Sequence, residues 1–188
     1  MAGRRETFAE RRERRAAIED PEVVLEAAAR FLEARSRSVA EVRRRLNGAG
    51  YRADLVDGAI ARMGDLGMLD DEAFARAWVE SRDRARPRGE RALQNELRLK
   101  GIDRAVVDVV LDERRSADGV ALAPDRDAAE RLLRKHARTL DRIDDPRRKR
   151  ERAYALLARN GFDPETCRDV AARVTREETD DLESDGPA

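Results

Sequence analysis

Three glycines set the plan of this chain: Gly50, Gly101 and Gly161. Aligned on them, the sequence repeats itself. Four residues earlier stand Leu46, Leu97 and Leu157, and one residue later stand Tyr51, Ile102 and Phe162. Six later come Val56, Val107 and Cys167, and nine later Ala59, Val110 and Val170. A glycine just past an apolar helical stripe marks a helix end, because it takes the left-handed conformation that closes the last turn. Self-similarity at an interval of about 50 residues is the mark of a repeat architecture. A unit that small buries only about 60% of its unfolded surface and is marginal alone, so stacked neighbours must share interfaces.

Each unit reads as three helices. In the first, residues 20–67, Asp20-Pro21 supplies an N-cap and a first-turn proline. Val24, Leu25, Ala28, Phe31 and Leu32 form the stripe that follows. Ser38-Val39-Ala40-Glu41 is a capping box for a second helix carrying Val42 and Leu46. The third helix carries Leu55, Val56, Ala59, Ile60 and Met63, and the Gly64–Gly67 segment closes it.

The second unit, residues 68–115, follows the same order. A helix over 71–86 sets Phe74 and Trp78 four apart on one face, beside Ala75 and Val79. Pro87 disfavours helical geometry at Arg86, so the helix stops there. A helix over 89–100 with Leu93 and Leu97 ends at Gly101, and Asp103 caps a third with Val106, Val107, Val110 and Leu111. The third unit, residues 125–177, has Ala129, Leu132, Leu133, His136 and Leu140, then Asp145-Pro146 opening a helix with Ala153, Leu156 and Leu157. Asp163-Pro164-Glu165 starts its last helix, with Cys167, Val170, Ala171 and Val174. The expected fold is all-α, tandem repeats of three-helix bundles forming an elongated curved array of about 60–80 Å. A charged N-terminal arm (1–19), a linker (116–124) and an acidic, disordered tail (178–188) complete it.

Composition bears on function mainly by exclusion. The one histidine, His136, falls on or beside an apolar stripe, where a packed or surface role outweighs a catalytic one. The one cysteine, Cys167, occupies a position held elsewhere by Val56 and Val107, so it reads as a small buried hydrophobe. A lone cysteine forbids a disulfide framework within the chain and fits a reducing cytosol. Phosphate-binding glycine loops, His-Glu-x-x-His and Cys/His clusters are absent from the sequence. Asp70-Asp71 could be imagined as metal ligands, but N-capping and the helix dipole explain adjacent acids at a helix start better. We therefore expect no enzyme activity, no cofactor and no metal. No apolar run approaches the ~20 residues of a membrane span, so a cytoplasmic location without membrane contact is expected.

Charge supplies the positive signal. Charged residues make up 43% of the chain, yet the formal net charge is zero, so local clusters matter more than a global field. Residues 35–52 hold Arg35, Arg37, Arg43, Arg44, Arg45 and Arg52 against Glu41 alone. Residues 82–104 hold eight basic residues against four acidic ones, and 147–152 reads Arg-Arg-Lys-Arg-Glu-Arg. Each cluster falls around the second helix of a unit. One reading is a solvated face with intrahelical pairs; recurrence in three units favours a binding face. No aromatic residues interleave in sequence to stack bases, so nucleic acid is not singled out. The arginines of the N-terminal arm read either as a phosphate-touching arm or as a solvated tail.

One stretch resembles a known family. Gly67-Met68-Leu69-Asp70-Asp71-x-x-Phe74-Ala75-x-x-Trp78-Val79, Arg88-Gly89, and Leu93-x-x-Glu96-Leu97-x-x-Lys100-Gly101-Ile102 look like the signature of RecX regulatory proteins. Arg35-Ser36-x-Ser38-x-x-Glu41-Val42-x-x-x-Leu46 supports it. The resemblance spans about residues 22–177, is dense over 67–102 and is thin after 115. It implies a protein that binds the RecA recombinase and its filament on single-stranded DNA and restrains ATP hydrolysis and strand exchange. The setting it implies is recombination, repair and the SOS response. A monomer lying in the filament groove, touching RecA and either single- or double-stranded DNA, would block growth or pairing. On charge and expected exposure, the candidates for that contact are Arg43, Arg44, Arg86, Arg88, Arg91, Lys100 and Arg104. The motif residues Asp70, Phe74, Ala75, Trp78, Leu97 and Gly101 are assigned to folding. A stand-alone DNA-binding helical module and a helical scaffold for another protein are the alternatives.

Overall fold

A computed structural model describes residues 6–116 and 124–173. Among the described residues there are ten helices and no strands: α1 (Phe8–Ala16), α2 (Pro21–Glu33), α3 (Val39–Ala49), α4 (Ala53–Asp65), α5 (Asp71–Ala85), α6 (Glu90–Leu99), α7 (Arg104–Ser116), α8 (Pro124–Leu140), α9 (Pro146–Arg159) and α10 (164–173). The caps read from sequence are in place. The Asp20 carboxylate accepts from the Glu22 N–H at 2.9 Å, with Pro21 opening α2. Ser38 and Glu41 bond reciprocally at the start of α3. Asp145 caps α9, and Asp163 accepts from the Glu165 and Thr166 N–H groups.

The glycine register holds at every repeat. Gly50, Gly101 and Gly161 have φ of 102°, 80° and 84°, the left-handed region that an L side chain rarely adopts. Their N–H groups donate to Asn47, Arg98 and Ala158, while Tyr51 and Phe162 donate back to Leu46 and Leu157. The aligned positions Leu46, Leu97, Leu157, Ile102, Phe162, Val56, Val107, Cys167, Ala59, Val110 and Val170 are buried, and Tyr51 is half-buried.

The chain divides into two compact units, Met1–Ala75 with Arg98–Val106, and Arg76–Leu97 with Val107–Ala188. In the first, Val24 and Ala28 of α2, Val42 and Leu46 of α3, and Val56, Ala59, Ile60 and Met63 of α4 form one core closed by Leu69. In the second, Ala128, Ala129, Leu132, Leu133 and Leu140 of α8 meet Ala153 and Leu157 of α9, Phe162, and Cys167, Val170 and Ala171 of α10. Both cores rest on Ala, Val and Leu. Such residues let helices approach closely but supply modest area, so the polar junctions described below matter to the fold.

The structure differs from the sequence reading in several places. Within residues 1–19, read as a frayed and partly helical charged arm, residues 8–16 form a well-capped helix. Thr7 and Glu10 form a complete capping box at its start, and Arg15 donates to the Ala49 carbonyl at the end of α3. Gly50 makes that packing possible, since a Cβ there would stand 2.9 Å from backbone atoms of Arg12. Lys149, counted in the third basic cluster, is buried and paired with Asp141 at 3.0 Å. Of the packed and surface roles read for His136, the structure gives the surface one, with Nδ1 2.9 Å from the Leu132 carbonyl. Val174, the tail 178–188, positions 1–5 of the arm and 117–123 of the linker lie outside the described residues.

Candidate interaction surface

Two junctions follow the same design, and they determine which charged side chains are left at the surface. In the first unit, Ser38 Oγ at the head of α3 donates to the Lys100 carbonyl at 2.6 Å, next to the left-handed Gly101. The Val39 N–H, an orphan donor of the first turn, is taken by Asp71 Oδ1 at 2.9 Å. Ala40 sits where a Cβ on Gly101 would be only 2.4 Å away. In the second unit the head of α6 does the same. The Gly89 N–H donates to the Asn160 carbonyl at 3.0 Å, next to the left-handed Gly161. The Glu90 N–H is taken by Asp125 Oδ2 at 2.9 Å. Ala92 stands 2.4 Å from a Cβ on Gly161, and a Cβ on Gly89 would fall 2.3 Å from the Phe162 nitrogen. So Gly101 and Gly161 each also admit the second helix of the preceding repeat, a role distinct from ending their own helices.

The capping carboxylates at these heads are partly desolvated. Burial pushes Asp71 above the usual carboxylate range, against the Val39 N–H that favours its charge, with Asp70 adding repulsion. Burial likewise pushes Asp125 up, against the bonds from the Glu90 N–H and Arg114. Arg114 has a side chain only 7% exposed and closes this cluster. It grips Asp83 with two nitrogens at 2.8 and 2.9 Å and Asp125 with a third at 2.6 Å. Asp70, read together with Asp71 as capping α5, does cap it, accepting from the Ala73 N–H at 2.9 Å. Asp71 instead reaches across to α3. In sequence alone the two acids are indistinguishable.

These junctions take up charges that the sequence placed on an exposed face. Lys100 is half-buried, and its ammonium pairs with Glu41 at 2.8 Å. Burial would raise Glu41, but Lys100, the Ser38 N–H and Arg35 outweigh it and hold the carboxyl below its ordinary range. Arg88 is half-buried, donating to Asn160 Oδ1 and lying 3.5 Å from Glu96. Arg43 is exposed and paired with Asp57. Arg44, Arg86 and Arg91 are exposed with no carboxylate partner among the described residues. Arg104 is exposed and has a partner of its own. The structure therefore separates the seven candidates. Arg88 and Lys100 hold junctions, while Arg44, Arg86 and Arg91 present free guanidinium groups.

The motif residues divide as well. Phe74, Ala75 and Leu97 are buried. Trp78, assigned to folding, is half-buried, because its ring carries a polar edge that is used. Its Nε1–H donates to Glu96 Oε2 at 2.8 Å, and the Arg82 guanidinium lies 4.1 Å from the ring centroid while bonding the same oxygen at 2.6 Å. Sequence spacing gives Trp78 its face; only the fold supplies Glu96.

No group of three or more metal-ligating side chains occurs among the described residues. Cys167 is fully buried 3.6 Å from the Phe162 carbonyl, and burial raises its thiol above the ordinary value, so the nucleophilic thiolate is suppressed. No described helix is long and apolar enough to cross a membrane.

The fold defines a class: an all-helical repeat protein whose buried polar groups hold the junctions between its repeats. Comparison with known proteins gives the family. Residues 25–63 match the RecX first three-helix domain, and residues 70–111 the RecX second three-helix domain. The chain is 35% identical over 149 residues to the regulatory protein RecX of Mycobacterium avium (strain 104), covering 79% of this chain and 83% of that one. It is 36% identical over 149 residues to the regulatory protein RecX of Mycobacterium leprae (strain Br4923), covering 79% and 84%. The crystal structure of RecX from Lactobacillus salivarius superposes with a TM-score of 0.69 at 20% identity, covering 83% of this chain and 97% of that one. This chain belongs to the RecX family of regulatory proteins.

Proposed function

We propose that this protein regulates the RecA recombinase, binding its filament on single-stranded DNA as a monomer and slowing ATP hydrolysis and strand exchange. The observation that carries this reading is the match to both RecX three-helix domains within a chain 35% identical to regulatory RecX proteins. By the likeness to RecX proteins, the mechanism we assign is occlusion of the filament rather than catalysis. Of the candidate contacts, Arg44, Arg86 and Arg91 are the ones we assign to the filament, because an exposed guanidinium can fork onto carboxylate or phosphate without dismantling an internal bond. Arg43 and Arg104 contribute more weakly, through side chains already partnered. The test is co-sedimentation with RecA filaments on single-stranded DNA. Retention in the pellet at moderate salt supports the reading; a protein that stays in the supernatant at saturating filament refutes it.

A further inference from the structure

The helix that the family domains do not include builds a groove. Where α1 lies against the C-terminal end of α3, a cavity of about 440 Å3 opens in the first unit. Phe8, Arg15, Arg30, Arg44, Arg45 and Tyr51 line it, and no carboxylate does. Arg30 pairs with Glu26 outside the lining, and Arg15 is held by the Ala49 carbonyl with its guanidinium 5.6 Å from the Tyr51 centroid. Arg44 and Arg45 have no carboxylate partner among the described residues. Arg45 also stands 5.6 Å from the Phe31 ring centroid, and Arg37 stands 4.4 Å from the same centroid. Two guanidinium groups are thus gathered on one ring with no counter-charge, and the Arg37 Nε is buried without a hydrogen-bond partner among the described residues. Like charges so placed repel until an anion joins them.

The aromatic residues indicate what kind of anion. Phe8 is 62% exposed although it opens a helix that has an apolar neighbour to pack on. It and Tyr51 line the cavity together with the arginines, which supplies the aromatic surface missing from the linear sequence. Cationic grooves with accessible aromatic faces suit single strands, whose bases offer free π-faces; a duplex keeps those faces stacked. We infer that the α1–α3 groove binds a single-stranded nucleic acid directly, Arg44 and Arg45 neutralising phosphates and Phe8 stacking a base. This site does not depend on the recombinase.

Fluorescence anisotropy with a labelled oligothymidylate, the full-length chain and no recombinase tests it. The single strand should bind at least tenfold tighter than a duplex of the same length. Arg44→Ala with Arg45→Ala should weaken binding at least tenfold and make the plot of log affinity against log salt shallower by about 1.4, since each lost single-strand phosphate contact contributes about 0.7. Phe8→Ala, an exposed truncation that cannot unfold the core, should cost about fivefold or more without altering that slope. Arg147→Ala with Arg148→Ala on α9 should change neither quantity. Equal affinity for duplex and single strand, an unchanged slope in the arginine pair, or an unaffected Phe8→Ala variant would each overturn the assignment. So would a parent protein that binds no oligonucleotide, which would leave the groove to an acidic protein surface. Because recombinase is absent, none of these outcomes bears on the proposed regulation of RecA.

Discussion

Replacing Gly89 with alanine isolates the energy of a repeat junction. No unusual φ holds Gly89, so the cost is purely one of space. A Cβ there would lie 2.3 Å from the Phe162 nitrogen and 2.4 Å from the Gly161 carbonyl carbon and oxygen. These are backbone atoms of a left-handed turn and cannot rotate away like a side-chain tip. The head of α6 must therefore retreat. Retreat weakens the Gly89 N–H to Asn160 bond and the Glu90 N–H to Asp125 bond together. Overpacking costs about 1–3 kcal/mol, and each partly buried hydrogen bond adds roughly 0.5–1.5 kcal/mol. The expected loss is about 2–6 kcal/mol. In a chain of this length that corresponds to a fall in melting temperature on the order of 5–20 °C. The control is Gly48→Ala in α3, where a new Cβ meets nothing within 4 Å. It should stabilise by about 0.5–1 kcal/mol, the helix preference of alanine over glycine. Urea unfolding followed by circular dichroism reads both. If Gly89→Ala unfolds at the parent's midpoint, the junction does not constrain the turn and the reasoning fails.

Three further predictions follow from individual groups. Arg114→Met strands Asp83 and Asp125 beside each other in a desolvated site and should cost about 3–5 kcal/mol by urea unfolding; a loss under 1 kcal/mol would show the cluster to be solvated. The two carboxylates at the α3 head titrate with opposite sign. Glu41, held below its ordinary range, contributes stability that is present above pH ~4.5 and lost as pH falls through its folded value. Asp71, raised by burial, instead lowers stability as pH rises past the unfolded carboxylate range. Glu41→Gln keeps the capping box and should flatten the acid limb of the unfolding midpoint between about pH 3 and 5, whereas an unchanged limb would remove Glu41 from it. Cys167 should react with a thiol reagent only as fast as the protein unfolds, because it is fully buried; rapid native-state labelling would contradict the packing of α10.

Local features of the fold were legible because their causes are local. The glycine register, the caps at Asp20, Ser38, Asp145 and Asp163, and the stop before Pro87 each depend on residues within one helical turn of one another. Helix α1 also had a local signal, since Thr7 and Glu10 stand in capping-box spacing. Its scant apolar content hid it. The roles of Asp71, Arg88, Lys100 and Arg114 were not legible, because their partners lie far away in the chain. Val39 and Asp71 are 32 residues apart, Glu41 and Lys100 are 59, and Arg88 and Asn160 are 72. A charge count cannot tell an arginine that closes a junction from one that faces solvent. The basic groove was missed for the same reason: Phe8 and Tyr51 are remote from each other in sequence and line one cavity only when α1 packs against α3.

The measurement that tests the central claim most directly is RecA ATP hydrolysis on single-stranded DNA, titrated with this protein and with an Arg86→Glu, Arg91→Glu variant. Both residues are exposed and outside the junctions, so the variant should melt within a few degrees of the parent, surface charges being worth about 0–1 kcal/mol. The expected result is that the parent slows hydrolysis, less so as salt rises, and that the folded variant inhibits at least tenfold more weakly. Hydrolysis unaffected by an excess of the parent would contradict regulation of RecA; equal inhibition by parent and variant would remove this surface from it.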